Sequence, residues 1–139
     1  MATHETELKW IDEQKFDIHQ NNKTIRIDGN PDEATSTGVR PKALILSSLA
    51  GCTAIDVVEL LNKMRVQFSD FSIKVLGELT EDHPRTYQTV SLTYTLKLAN
   101  PDDKDKVEKA VNLSQEKYCG VSAMVRKFAE LKIKIVYLN

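Results

Sequence analysis

The stretch from Pro41 to Met64 does most to limit what this chain can become. It carries apolar residues at Leu44, Ile45, Leu46, Leu49, Ile55, Val57, Val58, Leu60 and Leu61. Its first half is apolar almost all round, the mark of a helix covered on several sides. Pro41 suits a first helical turn, where its missing N–H has no intrahelical partner to lose. The pattern predicts one helix of ~24 residues, ~36 Å long at 1.5 Å per residue. Most helices in a domain of this size are shorter. A helix this long is expected to cross the whole core and to contribute to a subunit interface.

On either side the period changes from helical to two. Leu8 and Trp10, Phe16 and Ile18, and Ile25 and Ile27 alternate with polar neighbours, with an Asn21-Asn22 turn before the third pair. Asp28-Gly29-Asn30-Pro31 ends this meander, and Asp32 to Gly38 is small, polar and loop-like. After the helix, Phe71, Ile73 and Val75 mark a strand, and His83-Pro84 breaks the chain. Val90, Leu92, Tyr94, Leu96 and Leu98 give the strongest alternation, that of a half-buried strand. Asn100-Pro101-Asp102-Asp103 is a helix start, with Asn as cap, Pro next and acids in the first turn. Val107, Ala110, Val111 and Leu113 supply that helix's stripe, and Cys119-Gly120 marks its break, since Gly commonly ends helices. A short helix over Val121 to Phe128 and a strand through Leu131, Ile133, Ile135 and Tyr137 close the chain. The order predicts an α+β fold, antiparallel sheets packed on helices, in a single domain over 1–139.

Formal net charge is −1 and no basic block stands out, so nucleic-acid binding has no electrostatic support. Met1 to Trp10 is polar, unlike a signal peptide, and Ser47, Ser48, Thr53, Asp56 and Glu59 interrupt the longest apolar run. No membrane partner and a cytoplasmic location are therefore expected. In that compartment two cysteines are buried spectators or redox groups, not a structural disulfide. Cys52 lies in the long helix and Cys119 at the later break. With His4, His19 and His83 scattered, the spacing suggests no metal site.

Two motifs carry a family likeness. One is Pro41 followed by an apolar run into Ala50-Gly51-Cys52-Thr53-Ala54-Ile55-Asp56-Val57-Val58, then Lys63. The other is Ala110-Val111-Asn112-Leu113-Ser114-Gln115-Glu116-Lys117-Tyr118-Cys119. With Pro84-Arg85 before a strand, they resemble the OsmC/Ohr family over about residue 28 to the C-terminus, leaning to its YhfA-like branch. The resemblance implies sheets wrapped around two central helices in an intertwined homodimer. It also implies reduction of organic hydroperoxides by a thiol, with Cys52 attacking, Cys119 resolving and an external dithiol, lipoyl-type by analogy, as reductant. No organic cofactor or metal is implied.

A thiolate attacks the outer peroxide oxygen and becomes a sulfenic acid, which a second thiol condenses with to give a disulfide. A free thiol must first be made more acidic by a cation or a helix N-terminus. Asp56, four residues after Cys52, and Glu59, seven after, share its helical face and act the other way. Arg40 lies twelve residues before Cys52, ~18 Å along one helix, so it would have to act from a second subunit. Arg85, Arg26 and Arg126 are the other candidate cations. Ohr and OsmC relatives carry a glutamate nine or ten residues before the first cysteine; Ala43 and Lys42 stand there in this chain. Asp56 or Glu59 could take over its orienting role, while Glu59 also fits an ordinary solvated helix residue. Arg40 and Arg85 equally fit surface charges, and Trp10 and Tyr118 core or interface positions. Ile45, Leu46, Leu49, Ile55 and Met124 would offer apolar walls to an alkyl hydroperoxide. The alternatives are a non-catalytic module binding a hydrophobic small molecule, or a thiol redox sensor.

Overall fold

The computed structural model describes residues 2–139. Six strands and three α-helices follow in the order β1 (Glu7–Asp12), β2 (Lys15–Gln20), β3 (Lys23–Asp28), α1 (Leu44–Lys63), β4 (Phe68–Leu79), β5 (Tyr87–Leu98), α2 (Lys104–Leu113), α3 (Gly120–Val125) and β6 (Glu130–Tyr137). The strands form two three-stranded sheets, β1-β2-β3 and β4-β5-β6, giving the α+β class that the sequence predicts. Contacts divide the chain into two compact units at Ile45/Leu46, inside the first turn of α1.

The first unit holds the meander. Asn21 and Asn22 have φ of 50° and 60°, the left-handed pair that a two-residue hairpin turn requires and that Asn tolerates. Register sets Trp10 opposite Phe16, Phe16 opposite Ile27, and Ile18 opposite Ile25. The polar loop that follows is tied down by one buried carboxylate. Asp28 accepts from the Asn30 and Thr37 backbone N–H groups and from the Thr37 hydroxyl. The Thr37 backbone bond, first among these, holds the Asp28 carboxyl below the usual range. A Cβ at Gly38 would fall 2.7 Å from the Arg26 backbone carbonyl, so only glycine fits there.

In the second unit β5 is the central strand. Val90, Leu92, Tyr94, Leu96 and Leu98 are all buried, as their alternation predicts. They pack in one core with Leu49, Val57 and Leu61 of α1 and with Val107, Ala110 and Val111 of α2. α1 starts at Leu44, later than Pro41, because the preceding turn closes with i→i−3 bonds (Leu44 N to Pro41 O, Ile45 N to Lys42 O). It ends where Arg65 turns left-handed (φ 59°) and Val66 N–H returns to Leu61 O.

α1 corrects the membrane argument in part. At 20 residues and mean hydropathy 1.8 it is long and apolar enough to cross a bilayer by length and composition, despite its interrupting polar residues. Its i, i+4 stripe of Leu49, Thr53, Val57 and Leu61 faces the core described above.

Two further expectations change. β6 pairs parallel to β5, from Thr89↔Glu130 to Leu96↔Tyr137, so the second sheet is mixed, not antiparallel throughout. The α2–α3 connection is a crossover long enough to return the chain in the same direction. Gly120 is not a left-handed helix terminator: no glycine has positive φ among the described residues, and Gly120 opens α3. The break itself falls at Cys119, as read: the π turn over Ser114–Tyr118 carries α2 on, closed by Cys119 N–H on Ser114 O at 2.7 Å, and Cys119 is extended (φ −81°, ψ 99°). The Asn100 start holds as read, its side chain accepting from Asp102 N–H before the 3₁₀ turn that leads into α2.

Candidate redox site

Cys52 faces inward from the middle of α1, beside the buried Thr53. Asp56, one turn on, lies on the same face. Cys119 arrives through the π turn and caps α3, with Ser122 N–H pointing at its sulfur at 3.4 Å. The two Sγ atoms and a carboxylate oxygen of Asp56 all lie within 4.8 Å of one another. Both thiols are free; Cys52 is half-buried and Cys119 buried at 3% exposure. The structure thus brings together three of the eight residues singled out in sequence.

Beneath them runs a buried polar chain that sequence reasoning missed. Arg126 donates to the Gln115 carbonyl (2.6 Å) and to its side-chain Oε1 (3.1 Å), which fixes the amide so that Nε2 faces inward. That Nε2 donates to the Tyr94 hydroxyl at 2.7 Å. Tyr94 Oη meets Thr53 Oγ1, Thr53 Oγ1 meets Ser114 Oγ at 2.7 Å, and Ser114 Oγ donates to Asp56 at 3.0 Å. An ionised carboxylate only accepts, so every hydroxyl in the series points its proton toward Asp56. Tyr94, Thr53 and Ser114 are fully buried, so each bond removed would strand a partner away from water. A Thr, a Ser and a Gln at core-facing positions were the only signal of this chain in the sequence.

Burial pushes the Cys52 thiol above its usual range. The neighbouring Cys119 thiol adds to that, the Val121 backbone N–H opposes it, and the Asp56 charge adds a smaller upward push. The outcome matches the sequence argument that Asp56 works against ionisation.

The remaining candidates have other partners. Glu59 pairs with Lys63 at 3.2 Å on the exposed side of α1, the solvated reading. Arg40 donates to the Gly29 and Asn30 carbonyls and pairs with Glu33, all within its own unit. Arg26 pairs with Asp17. Arg85 is exposed, beside the cis His83-Pro84 bond. Arg126 alone of the four joins the network under the thiols. The expected apolar walls divide: Leu49 is sealed in the core, while Ile55 (70%) and Met124 (58%) face outward.

The OsmC-like protein family model matches residues 30–134, on both sides of the unit division. The chain belongs to the OsmC-like family. Protein YhfA of Escherichia coli K12 is 36% identical over 123 residues, covering 86% of this chain and 87% of that protein. The crystal structure of an OsmC-like protein from Mycoplasma pneumoniae superposes with TM-score 0.85 at 12% identity, covering 99% of each chain. The organic hydroperoxide resistance protein OhrB of Bacillus subtilis superposes with TM-score 0.63 at 16% identity, covering 96% of this chain and 98% of its own.

Proposed function

We propose that the chain is a thiol-dependent peroxidase for organic hydroperoxides, acting as a homodimer in the cytoplasm with an external dithiol as reductant. One observation carries this reading: two free thiols from separate elements, their sulfurs within 4.8 Å. The structural neighbour OhrB of Bacillus subtilis is an organic hydroperoxide resistance protein, which agrees with it.

Cys52 is the more exposed of the pair and takes the first step. Its thiolate attacks the outer oxygen of ROOH; the O–O bond breaks, ROH leaves with a proton, and Cys52 becomes a sulfenic acid. The Cys119 thiol then attacks that sulfur, a disulfide forms and water leaves. The gap must close to the ~2.05 Å of a disulfide, which the irregular segment around Cys119 allows more readily than a regular helix. An external dithiol takes over the disulfide and restores both thiols. The Val121 and Ser122 N–H groups are the donors that stabilise negative charge on the two sulfurs. Arg126, through Gln115, is the candidate cation that the hydrogen-bonded chain links to Asp56 beside the thiols. A partner subunit would cover the apolar side chains left exposed at Trp10, Ile55, Tyr118 and Met124.

Stopped-flow mixing of the reduced protein with cumene hydroperoxide tests the proposal. The expected result is fast loss of both thiols per hydroperoxide consumed, with one intramolecular disulfide formed. The upward push on the Cys52 thiol and the absent glutamate favour a second reading, a carrier of hydrophobic small molecules. No thiol loss would establish that reading; oxidation without turnover by any dithiol would instead indicate a sensor.

A further inference from the structure

The Cys52, Asp56 and Cys119 cluster has the makings of something besides a thiol pair. Two sulfurs and one carboxylate oxygen, from two separate segments, converge within 4.8 Å. A tetrahedral zinc ion, at about 2.3 Å from sulfur and about 2.0–2.2 Å from oxygen, sets its ligand atoms roughly 3.5–3.8 Å apart. Closing the cluster to that size takes about an ångström, within the reach of side-chain rotation. We propose that Cys52, Asp56 and Cys119 form a site for a borderline-soft divalent cation, Zn²⁺, with the fourth position open to water.

Three features support it. The ligand set mixes two thiolates with one carboxylate, which suits zinc over the hard cations that prefer all-oxygen shells. Cys52 and Asp56 stand at i and i+4 on α1, so one rigid helix fixes two of the three ligands. Asp56 is oriented from behind by the Ser114 hydroxyl, and Ser114 in turn by Thr53, the outer-shell support that metal-ligating carboxylates carry. Sequence spacing could not find this site, because its third ligand lies 63 residues beyond the second. The inference rests on the placement of the three groups and not on the peroxidase reading. Its consequence for that reading is direct: a bound ion occupies both sulfurs and shields them from electrophiles.

The test is a Co²⁺ titration of the reduced, chelator-treated protein, followed by displacement with Zn²⁺. Expected are one Co²⁺ per chain, a near-ultraviolet thiolate-to-cobalt band, tetrahedral visible bands, and loss of all of them on adding Zn²⁺. Cys52→Ser and Cys119→Ser should each lose about half the thiolate band and bind at least about tenfold more weakly. Asp56→Asn should keep the band but weaken binding at least about tenfold, and Ser114→Ala by about tenfold. Far-ultraviolet circular dichroism confirms that each variant is folded. Binding without the thiolate band, as histidines alone would give, overturns the proposal. So does an Asp56→Asn variant that binds Zn²⁺ as tightly as the parent. Hydroperoxide consumption is measured separately on metal-free protein, so either reading can fail while the other stands.

Discussion

Cys52 and Cys119 carry the same group, but the regions that hold them are built differently. Cys52 sits in mid-α1, where backbone N–H groups are committed to the helix ladder. No N–H of its own helix is free to serve its sulfur, and the one that does, Val121, comes from α3. Cys119 sits where regular structure stops. The π turn before it and the short helix after it release amide groups, and Ser122 N–H reaches its sulfur. α1 therefore supplies accurate placement and a buried, hard-to-ionise thiol, whereas residues 114–122 supply the donors for both sulfurs. The chemical character of the pair belongs to the irregular segment.

The sharpest way to break this asymmetry is to remove one sulfur at a time. Cys52→Ser should lower hydroperoxide consumption by about 10³-fold or more, since the attacking atom is gone. Cys119→Ser should still undergo one oxidation per chain and stop at a sulfenic acid that dimedone traps. If Cys119→Ser is the inert variant and Cys52→Ser the one that traps dimedone, the two regions have exchanged roles.

Tyr94→Phe tests whether the buried chain supports this geometry or merely fills space. Deleting the hydroxyl leaves Thr53 Oγ1 and Gln115 Nε2 each short of a partner in the core. A cost of about 1–3 kcal/mol is expected, read from urea unfolding. A neutral outcome would mean that water replaces the hydroxyl and that the network does not hold Cys119 in place.

These particulars also show what a sequence discloses. The β5 alternation was legible because one face of that strand is fully covered, so its period is written in residue type. The Asn100 cap was legible because capping is local chemistry. The parallel seat of β6 was not, because strand order follows from the crossover and not from the strand's composition. The π turn over Ser114–Tyr118 was not, because i→i+5 bonding has no compositional mark; the break at Cys119-Gly120 was, although Gly120 opens α3 and does not end a helix. Cys52, Cys119 and Asp56 could be picked out, yet the Ser114–Asp56 bond spans 58 positions and the Arg126–Gln115 link lies inside a short helix pair.

A pH series sharpens the comparison further. Burial, with the other thiol next, raises the Cys52 value, so the fold favours its neutral form. Below that value the thiolate fraction grows about tenfold per pH unit. In metal-free buffer the alkylation rate at Cys52, mapped by peptide mass, should therefore keep rising past about pH 9. The urea-unfolded chain should reach half its maximal rate near about pH 8.5, where an unperturbed thiol titrates, and the folded protein should reach its half-maximum at higher pH. A folded protein whose half-maximum falls at lower pH than the unfolded chain's would show that the donors from α3 outweigh burial.

The smallest effect separates two functions for Asp56. Its charge is the least of the named influences on Cys52, so Asp56→Asn should lower the thiol value only slightly. Alkylation of Cys52 at about pH 8 is expected to rise, by less than about tenfold. The substituted side chain can still accept from Ser114 through its amide oxygen, so the buried chain keeps its direction. If Asp56 acts by charge alone, hydroperoxide consumption rises in step with alkylation. If it also orients a group in place of the glutamate absent at Ala43 and Lys42, consumption falls while alkylation climbs. Should neither rate move, Asp56 takes no part in the thiol chemistry, and its place beside both sulfurs is left to its role as a metal ligand.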